Sequence, residues 1–423
     1  MIVIFTETGV SHHIPLPLGK DFFIIIQMKE PTARDAGVRS YLDWAATAIP
    51  DIPGAEADPG SAGGDIFGNP SSPHAEGRAA REALESARSR CAGVLGVKPE
   101  RLYFTSGGTE SNALVLHSLL RKKWKGHLLC SAVEHPSVRE NCLVLETLGT
   151  PAGIIGVEKD GRVSAETLSR ALEKHPDTRF VTVMGVNNET GAFMDLGALV
   201  QAVRSFQAKT GAPVHFHADM VQALGKVPVD IAGWDLDSAA FSAHKLGGPR
   251  GIGLLYLKKS LEPLYTGGEQ EGGVRPGTEN TRGALSLARV LERRAKPGTV
   301  KEEAEKARER FRYLIGELKK IKRFRLIPED RTEDDPRFSP WILQARFFGV
   351  PGAVMVRALD DCGVAVSTGS ACSTSSPERP VLAAMGMDST ARLEGIRISQ
   401  GWSTDTADLD ALLSGIEKVL SFL

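Results

Sequence analysis

The sequence has few cysteines and almost no net charge. Its five cysteines, at positions 91, 130, 142, 362 and 372, include no pair at Cys-x-x-Cys spacing, which argues against a zinc ribbon and against a disulfide framework. The 51 basic and 52 acidic residues leave a formal net charge of -1, so no basic excess is available to attract nucleic acid or an anionic membrane. We therefore expect a protein of the reducing cytoplasm whose partners are small molecules or proteins.

Long apolar runs are also missing. The run Phe22–Ile26 is far shorter than the roughly 20 residues that a membrane-spanning helix needs. Residues 1–27 also lack the basic start of a secretory signal. We interpret residues 1–38 as a loosely attached extension, with disorder as one possibility and with Met28 as an alternative start.

What the chain does contain is an alternation of strands and helices. Short apolar runs predict strands at Leu102–Thr105, Phe180–Val186, Pro213–Ala218, Ser238–Phe241 and Ile252–Leu257. Amphipathic stretches predict helices at Ser72–Leu95, Asn112–Leu120 and Leu196–Ala208. Because these strands are apolar on both faces, we predict an α/β fold with a mostly parallel sheet between helices. Such sheets bind ligands at the carboxyl ends of their strands.

The pattern changes after residue 300. Residues Val300 to Ile321 predict a long, highly charged helix whose apolar residues mark one face. We interpret this helix as the passage into a second, smaller domain. The Gly- and Pro-rich stretch Asp51–Gly68 predicts an exposed loop.

The stretch Phe104-Thr-Ser-Gly-Gly-Thr-Glu-Ser111 predicts a strand end, a tight turn and a helix start. Backbone N–H groups at a helix start can hold a phosphate. The same pattern also serves simply to begin a helix, so by itself it leaves both interpretations open.

The strand end His215-Phe-His217-Ala-Asp219 places three polar side chains on one face. Imidazole and carboxylate groups could bind zinc, the histidines could instead hydrogen-bond to the backbone, or Asp219 alone could keep a ring nitrogen protonated.

The stretch Ser238–Gly253 favours the third interpretation. It runs from a small-residue strand into Ser242, His244 and Lys245 and then into a Gly-rich turn, and a lysine held in such a pocket can form a Schiff base. A phosphate turn, a carboxylate for a ring nitrogen and a Schiff-base lysine are together what pyridoxal 5'-phosphate requires. A metal site would leave Lys245 and the phosphate turn without a role, so we predict no metal.

Cys372 lies among small hydroxylated residues, in Ser370-Ala-Cys372-Ser-Thr-Ser-Ser-Pro377. A buried cysteine packs as a small hydrophobic residue, whereas this stretch predicts a polar loop that displays its thiol. The other four cysteines lie in apolar or helical contexts and are interpreted as packing residues.

These motifs resemble those of the cysteine desulfurases, a branch of the class-V aminotransferase group. The resemblance runs from Tyr41 to about Trp402 and rests on motifs that occur in the same order, namely Tyr41–Thr47, Phe67–Ser71, Thr105–Ser111, Glu134-His135, Asn187–Gly191, His217–Gln222, the Lys245 segment, Arg275–Asn280 and Ser370–Cys372.

The resemblance implies a fold-type I enzyme that binds pyridoxal 5'-phosphate and forms a homodimer. It implies a small domain of residues 39–55 and 300–423 and a large cofactor-binding domain of residues 56–299. Lys245 would form the Schiff base, Asp219 would pair with the ring nitrogen, Gln222 would bond the ring hydroxyl, and His135 would stack on the ring. Residues implied at the phosphate are Gly108, Thr109, Ser242, His244 and Thr278, the last reaching the partner subunit's cofactor.

The resemblance also implies a reaction, the conversion of L-cysteine to L-alanine with a persulfide on Cys372. Asn188, which also borders the cofactor, and Arg397 would bind the substrate carboxylate, a task that suits a guanidinium. Lys245 would move the α-proton, and His135 is our candidate for the group that accepts the proton of the Cys372 thiol. The polar segment after Cys372 resembles the long-loop branch, which would pass sulfur to an iron–sulfur scaffold or a sulfur carrier.

Four flanking positions depart from the usual pattern of the family: Ala113, Gly247, Glu269 and Pro276. Because these positions flank the motifs, we expect them to affect the geometry of the site and the rate of the reaction rather than its type. The alternatives are a selenocysteine lyase, another class-V aminotransferase, which would not need Cys372, or a non-enzymatic iron–sulfur scaffold using Cys362 and Cys372.

Overall fold

The structure is a computed structural model that describes residues 39–50, 66–121, 126–369 and 379–422, together with three backbone strands before residue 39. The helices are α1 (Ala75–Leu95), α2 (Gly108–His117), α3 (Pro136–Thr147), α4 (Ala165–Lys174), α5 (Leu196–Thr210), α6 (Thr281–Arg294), α7 (Pro297–Leu318), α8 (Gly352–Asp361), α9 (Pro380–Ala384), α10 (Ser389–Glu394) and α11 (Thr406–Ser421).

The strands fall into four sheets in the described residues. They are β1 (Ile2–Thr6), β2 (His12–Ile14), β3 (Ile24–Met28), β4 (Ser40–Tyr41), β5 (Leu102–Thr105), β6 (His127–Ser131), β7 (Ala152–Ile155), β8 (Thr178–Thr182), β9 (His215–Asp219), β10 (Ser238–Ser242), β11 (Gly253–Leu257), β12 (Phe324–Leu326), β13 (Ile342–Phe347), β14 (Val364–Ala365) and β15 (Gly395–Ser399).

The largest sheet has the order β5-β11-β10-β9-β8-β6-β7. Strands β7, β6, β8, β9 and β10 pair in parallel, and only β11 runs antiparallel to its neighbours. Every residue of β10 and β11 is buried, as expected for strands covered on both faces. The predicted α/β fold with a mostly parallel sheet between helices is confirmed.

The pairing registers bring several predicted site residues to one edge of this sheet. Ala240 of β10 is opposite Asp219 at the end of β9, and Ser242 is opposite Gly253 of β11. Gly253 is in turn opposite Thr105, the last residue of β5. The phosphate turn, Ser242 and Asp219 therefore all follow the carboxyl ends of neighbouring strands, where a parallel sheet binds its ligand.

A second hydrophobic core lies outside this sheet. It combines Leu42 with residues from Phe311 to Val419, among them Leu343, Ile396 and Leu412. Strands β12, β13 and β15 form an antiparallel sheet against it, and β4 pairs with β14. Both ends of the described chain thus share one core, although the exact domain boundaries stay a prediction.

The observed elements differ from the predicted ones mainly at their ends. The helix expected from Ser72 begins at Ala75, because the His74 side chain accepts a bond from the Gly77 backbone N–H, and it ends at Gly96, which has a φ of 66°. The strands β1 and β3 pair in parallel within the extension 1–38. The predicted loop 51–68 lies largely outside the described residues.

Candidate active site

The turn between β5 and α2 contains Gly107 and Gly108 and faces β10. Gly107 has a φ of 155°, a conformation that favours glycine, and a Cβ at this position would point at Ser242 Oγ, 3.7 Å away. A side chain at residue 107 would therefore fill the space between the turn and Ser242. Thr109 is exposed in the first turn of α2. The start of α2 at Gly108 and Thr109 thus provides backbone N–H groups without a partner inside the helix, next to the Ser242 hydroxyl, and such a turn can hold an anion.

Lys245 ends the short 3-10 helix that follows β10. Its Nζ donates to the backbone carbonyls of Ala45 and Ala46, each at 2.7 Å. Gln222 Nε2 also donates to the Ala45 carbonyl, at 2.7 Å, and Gln222 Oε1 accepts from Lys226 Nζ at 2.9 Å. The segment before residue 50 therefore holds both the candidate Schiff-base lysine and the candidate partner of the ring hydroxyl.

Asp219 is buried at the end of β9 and oriented by two donors. Its Oδ1 accepts from the Val221 backbone N–H at 3.0 Å, and its Oδ2 accepts from Asn112 Nδ2 at 2.8 Å. A carboxylate held by two donors keeps a fixed direction. Asp219 is therefore suited to pairing with a protonated ring nitrogen.

His135 precedes α3 and caps it. Its Nδ1 accepts from the Ser137 backbone N–H at 3.1 Å and lies 2.8 Å from Ser137 Oγ. Burial lowers the pKa of His135, and the charges of Asp219 and Lys245 also act on it. Hydrogen bonds through Ser137 and Asn112 connect His135 to Asp219.

Arg397 lies on β15 and is almost fully buried. Its Nη1 donates to the carbonyls of Asn188 and Gly369, both at 2.9 Å, and its Nη2 donates to Asp43 Oδ1 at 2.7 Å. Its Nε has no hydrogen-bond partner in the described part of the chain. Because Asp43 is two residues from Ala45, the guanidinium and Lys245 are held by the same short segment, Asp43–Ala46.

Burial lowers the pKa of several bases around this edge of the sheet. It lowers the pKa of His217 to about 3 and that of His244 to about 4, with the positive charge of Lys245 adding to the latter. Burial, together with the charges of Lys245 and Arg397, lowers the pKa of Lys226 to about 7. An anionic phosphate and a substrate carboxylate would supply the negative charge that this cluster lacks.

The two strand histidines are engaged in hydrogen bonds rather than available as metal ligands. His215 Nε2 and His217 Nδ1 both lie 2.7 Å from Ser238 Oγ, and His217 Nε2 lies 2.9 Å from Asn112 Oδ1. These partners are side chains, whereas the second interpretation of the sequence had the histidines bonded to the backbone. In the ranges that the structure covers, no cluster of His, Cys, Asp and Glu has the geometry of a metal site.

The residues present fit pyridoxal 5'-phosphate. The turn beside Ser242 suits the phosphate, Asp219 suits the ring nitrogen, and Lys245 ends the 3-10 helix that follows β10, the strand paired with the end of β9 at Asp219. His244 bonds Thr47 Oγ1 at 3.1 Å and lies beside the lysine. Thr278 is exposed on the loop before α6, so its predicted role toward a partner subunit stays a prediction.

Cys372 lies outside the described residues, which stop at Gly369 and resume at Arg379. The two flanking residues are held by the site itself. Arg397 bonds the Gly369 carbonyl at 2.9 Å, and Arg379 donates to the carbonyl of Thr368 and, at 3.2 Å, to that of Gly395. Cys91, Cys130 and Cys142 are buried and Cys362 is half-buried, which agrees with packing roles.

The site also contains residues that were not predicted from the sequence. Asn112, Ser137, Lys226 and Asp43 contribute side chains that orient the predicted groups. Asp43 lies inside the motif Tyr41–Thr47, and Asn112 directly follows the motif Thr105–Ser111. Ser137 bonds Asn112 from 25 residues away, whereas Lys226 bonds Gln222 four residues before it.

Comparison with known proteins places this arrangement in a family. The sequence profile of the class-V aminotransferases matches residues 40–412, and the chain therefore belongs to this family of pyridoxal-phosphate enzymes. The resemblance to the cysteine desulfurases is confirmed by individual relatives. A cysteine desulfurase IscS of Dictyoglomus turgidum is 36% identical over 365 residues, covering 84% of this chain and 88% of that protein.

Solved structures agree. One described as a NifS-like protein superposes with a TM-score of 0.81 at 30% identity, over 91% of this chain and 100% of the other. Another, described as SspA in complex with cysteine, has a TM-score of 0.71 at 29% identity, over 85% and 98% of the two chains. The predicted fold-type I architecture is confirmed by these neighbours.

Proposed function

We propose that this protein is a pyridoxal-phosphate-dependent cysteine desulfurase that converts L-cysteine to L-alanine and supplies sulfur for iron–sulfur clusters or for thio-cofactor or tRNA synthesis. The observation that carries the proposal is the segment Asp43–Ala46, which binds Arg397 on one side and Lys245 on the other. An amino acid whose carboxylate met Arg397 would place its amino group toward Lys245. The names of the relatives support cysteine as that amino acid.

When bound, the cofactor supplies a protonated ring that withdraws electrons from the substrate's α-carbon. Asp219 keeps the ring nitrogen protonated, because its carboxylate is fixed by Asn112 and Val221. Gln222 is positioned to donate from Nε2, because its Nε2 faces the Ala45 carbonyl while its Oε1 accepts from Lys226 Nζ. Lys245 is the group that removes and returns the α-proton.

Arg397 would bind the substrate carboxylate with Asn188 beside it. Its unpaired Nε and its contact with Asp43 Oδ1 leave donors that a second carboxylate can share. The Asn188 carbonyl already accepts from Arg397 Nη1, so Asn188 lies directly beside the guanidinium.

The sulfur step is assigned to Cys372. Its thiolate forms a bond to the substrate sulfur while the carbon–sulfur bond breaks, the electron pair of that bond goes to carbon, and carbon takes up a proton. The products are alanine and a Cys372 persulfide, so atoms and electrons balance without an external oxidant. A polar loop lets the persulfide reach an acceptor protein.

Three further features complete the proposal. The protein is a homodimer in which Thr278 of each subunit reaches the other's phosphate site, and its sulfur acceptor is an iron–sulfur scaffold or a sulfur carrier. The compartment is the cytoplasm, which the free described cysteines support. Within the described part of the chain, none of the helices combines the length and apolarity needed to cross a bilayer.

The test begins with a visible spectrum of the purified protein and an assay of alanine and sulfide from L-cysteine. Cys372→Ala should keep the cofactor absorbance and lower alanine formation by more than about 100-fold, because the nucleophile is lost. Lys245→Ala should lose the absorbance that borohydride abolishes. Cys362→Ala is the matched thiol control and should behave as the wild type.

Two results would exclude the proposal. Unchanged alanine formation in Cys372→Ala, together with amino transfer to a 2-oxo acid, would identify an aminotransferase. A purified protein that contains iron and has no lysine-linked cofactor absorbance would identify a scaffold. A much higher kcat/KM for L-selenocysteine than for L-cysteine would favour a selenocysteine lyase.

A further inference from the structure

A chain of hydrogen bonds with a single possible direction connects Asp219 to His135. The Asp219 carboxylate can only accept, so Asn112 Nδ2, 2.8 Å from Oδ2, must donate to it. The second hydrogen of the same nitrogen points to Ser137 Oγ, 2.9 Å away. Asn112 is completely buried, and its amide therefore links the two residues without competition from water.

The contact at the other end of the Asn112 amide agrees with this orientation. Asn112 Oδ1 lies 2.9 Å from His217 Nε2, which must then carry a hydrogen. His217 is buried, and burial lowers its pKa to about 3, so the ring is neutral and its Nδ1 accepts from Ser238 Oγ at 2.7 Å. Reversing the Asn112 amide would set oxygen against the Asp219 carboxylate and nitrogen against an N–H group.

Ser137 transmits this orientation to His135. Its Oγ accepts from Asn112, so the hydroxyl hydrogen is available for His135 Nδ1, 2.8 Å away. The backbone N–H of Ser137 donates to the same Nδ1 at 3.1 Å. With two donors at Nδ1, a neutral ring can carry its hydrogen only on Nε2.

Burial is the largest influence on the protonation of His135. Burial lowers its pKa, the positive charges of Lys245 and Arg139 lower it further, and the negative charge of Asp219 opposes them. Protonation would also place a hydrogen on Nδ1, where two donors already point. Both effects favour the neutral ring around neutral pH.

We propose that Asn112 is a positioning residue that, through Ser137, fixes His135 as a neutral imidazole whose Nε2–H is a hydrogen-bond donor in the cofactor pocket. The inference rests on the proposed function for the group that receives this bond, the cofactor or the substrate on it. It changes the expected role of His135, because an Nε2 that carries a hydrogen cannot accept the proton of the Cys372 thiol. The thiolate must then arise by another route.

The experiment measures the His135 tautomer and pKa in the holoenzyme without cysteine, by nitrogen NMR of protein labelled at histidine. His135→Gln assigns the signals. Ser137→Ala removes one donor to Nδ1 and should raise the His135 pKa by roughly half to one pH unit. Ser137→Thr keeps the hydroxyl and should restore the wild-type value, which loss of packing alone would not do.

Asn112→Ala frees Ser137 Oγ to accept from Nδ1 and should raise the pKa at least as much. Ser137→Ala keeps the inference testable if Asn112→Ala does not fold. Thr182→Val is the matched control, because Thr182 is buried opposite His217 in the sheet and its hydroxyl has no hydrogen-bond partner among the described residues. It should leave the His135 signals unchanged.

A hydrogen on Nδ1 in the wild-type holoenzyme would overturn the inference, as would an unchanged His135 pKa in Ser137→Ala. In Ser137→Ala, the acidic limb of the plot of kcat/KM for cysteine against pH should move to higher pH, following the raised His135 pKa. In Ser137→Thr, the limb should lie at its wild-type position. Because the NMR readout needs no turnover, an Nε2–H tautomer in a protein that makes no alanine would support this inference while refuting the proposed function.

Discussion

Glu134 should make the protein less stable as the pH rises from acid to neutral. Its side chain is buried at the end of β6, where Oε1 accepts from Ser131 Oγ at 2.6 Å and from the Met184 backbone N–H at 2.7 Å. Its Oε2 has no hydrogen-bond partner in the described ranges. Burial, assisted by the charge of Asp219, raises the pKa of Glu134 from 4.5 to about 8. The folded protein therefore keeps a proton that the unfolded chain releases.

The size of the effect follows from this difference in pKa. The stabilisation is complete below the unfolded-state pKa and is lost as the pH rises toward the folded-state pKa, at about 1.4 kcal/mol per pH unit. At neutral pH the loss amounts to about 3 kcal/mol. Glu134→Gln keeps the acceptor oxygen for Ser131 and Met184 but cannot ionise. Relative to the wild type, the variant should therefore gain about 3 kcal/mol of unfolding free energy between acid and neutral pH.

The assay is urea unfolding followed by tryptophan fluorescence at several pH values, with a fixed concentration of cofactor. The two proteins are compared by the slope of unfolding free energy against pH, because any change in stability that the amide causes equally at every pH does not alter that slope. Glu146→Gln is the control, because Glu146 is exposed on α3 and should change nothing across this range. If wild type and Glu134→Gln lose stability in parallel, Glu134 is ionised in the folded protein and the reasoning from burial is wrong.

Two further substitutions test the phosphate turn and the carboxylate site. Gly253→Ala would place a Cβ 2.6 Å from both Gly107 Cα and the Phe241 carbonyl, so it should weaken cofactor binding by more than about tenfold in an absorbance titration. The control Gly93→Ala, in open space on α1, should leave cofactor binding unchanged. Equal cofactor binding by the two variants would contradict the steric argument. In Arg397→Lys, the ammonium group cannot replace the planar donors that reach Asp43, Asn188 and Gly369. The variant should therefore keep the cofactor absorbance and raise the KM for cysteine by about tenfold or more. An unchanged KM would mean that another group binds the substrate carboxylate.

Sequence patterns located five of the seven strands described in the large sheet and missed β6 and β7. Leu102–Thr105 was predicted with the bounds that the structure gives, because a short apolar run between turn residues has few alternatives. Strands β13 and β15 were not predicted. Their residues include buried polar side chains, Gln344 and Arg397, which interrupt the apolar pattern and are tolerated only because distant chain segments supply hydrogen-bond partners.

The chain by itself determined which chemical groups are available and the strand ends that carry them. Lys245, Asp219 and the turn at Gly108 each follow an apolar strand, and parallel strands bring their carboxyl ends to one edge, so local patterns were sufficient to infer a pyridoxal-phosphate site. Only the tertiary structure decided how those groups are held. Asn112 meets Asp219, and Asp43 meets Arg397, across more than a hundred residues of sequence. Such contacts form only when distant segments fold together, and they select amide orientation, histidine tautomer and pKa, none of which is encoded in a local stretch.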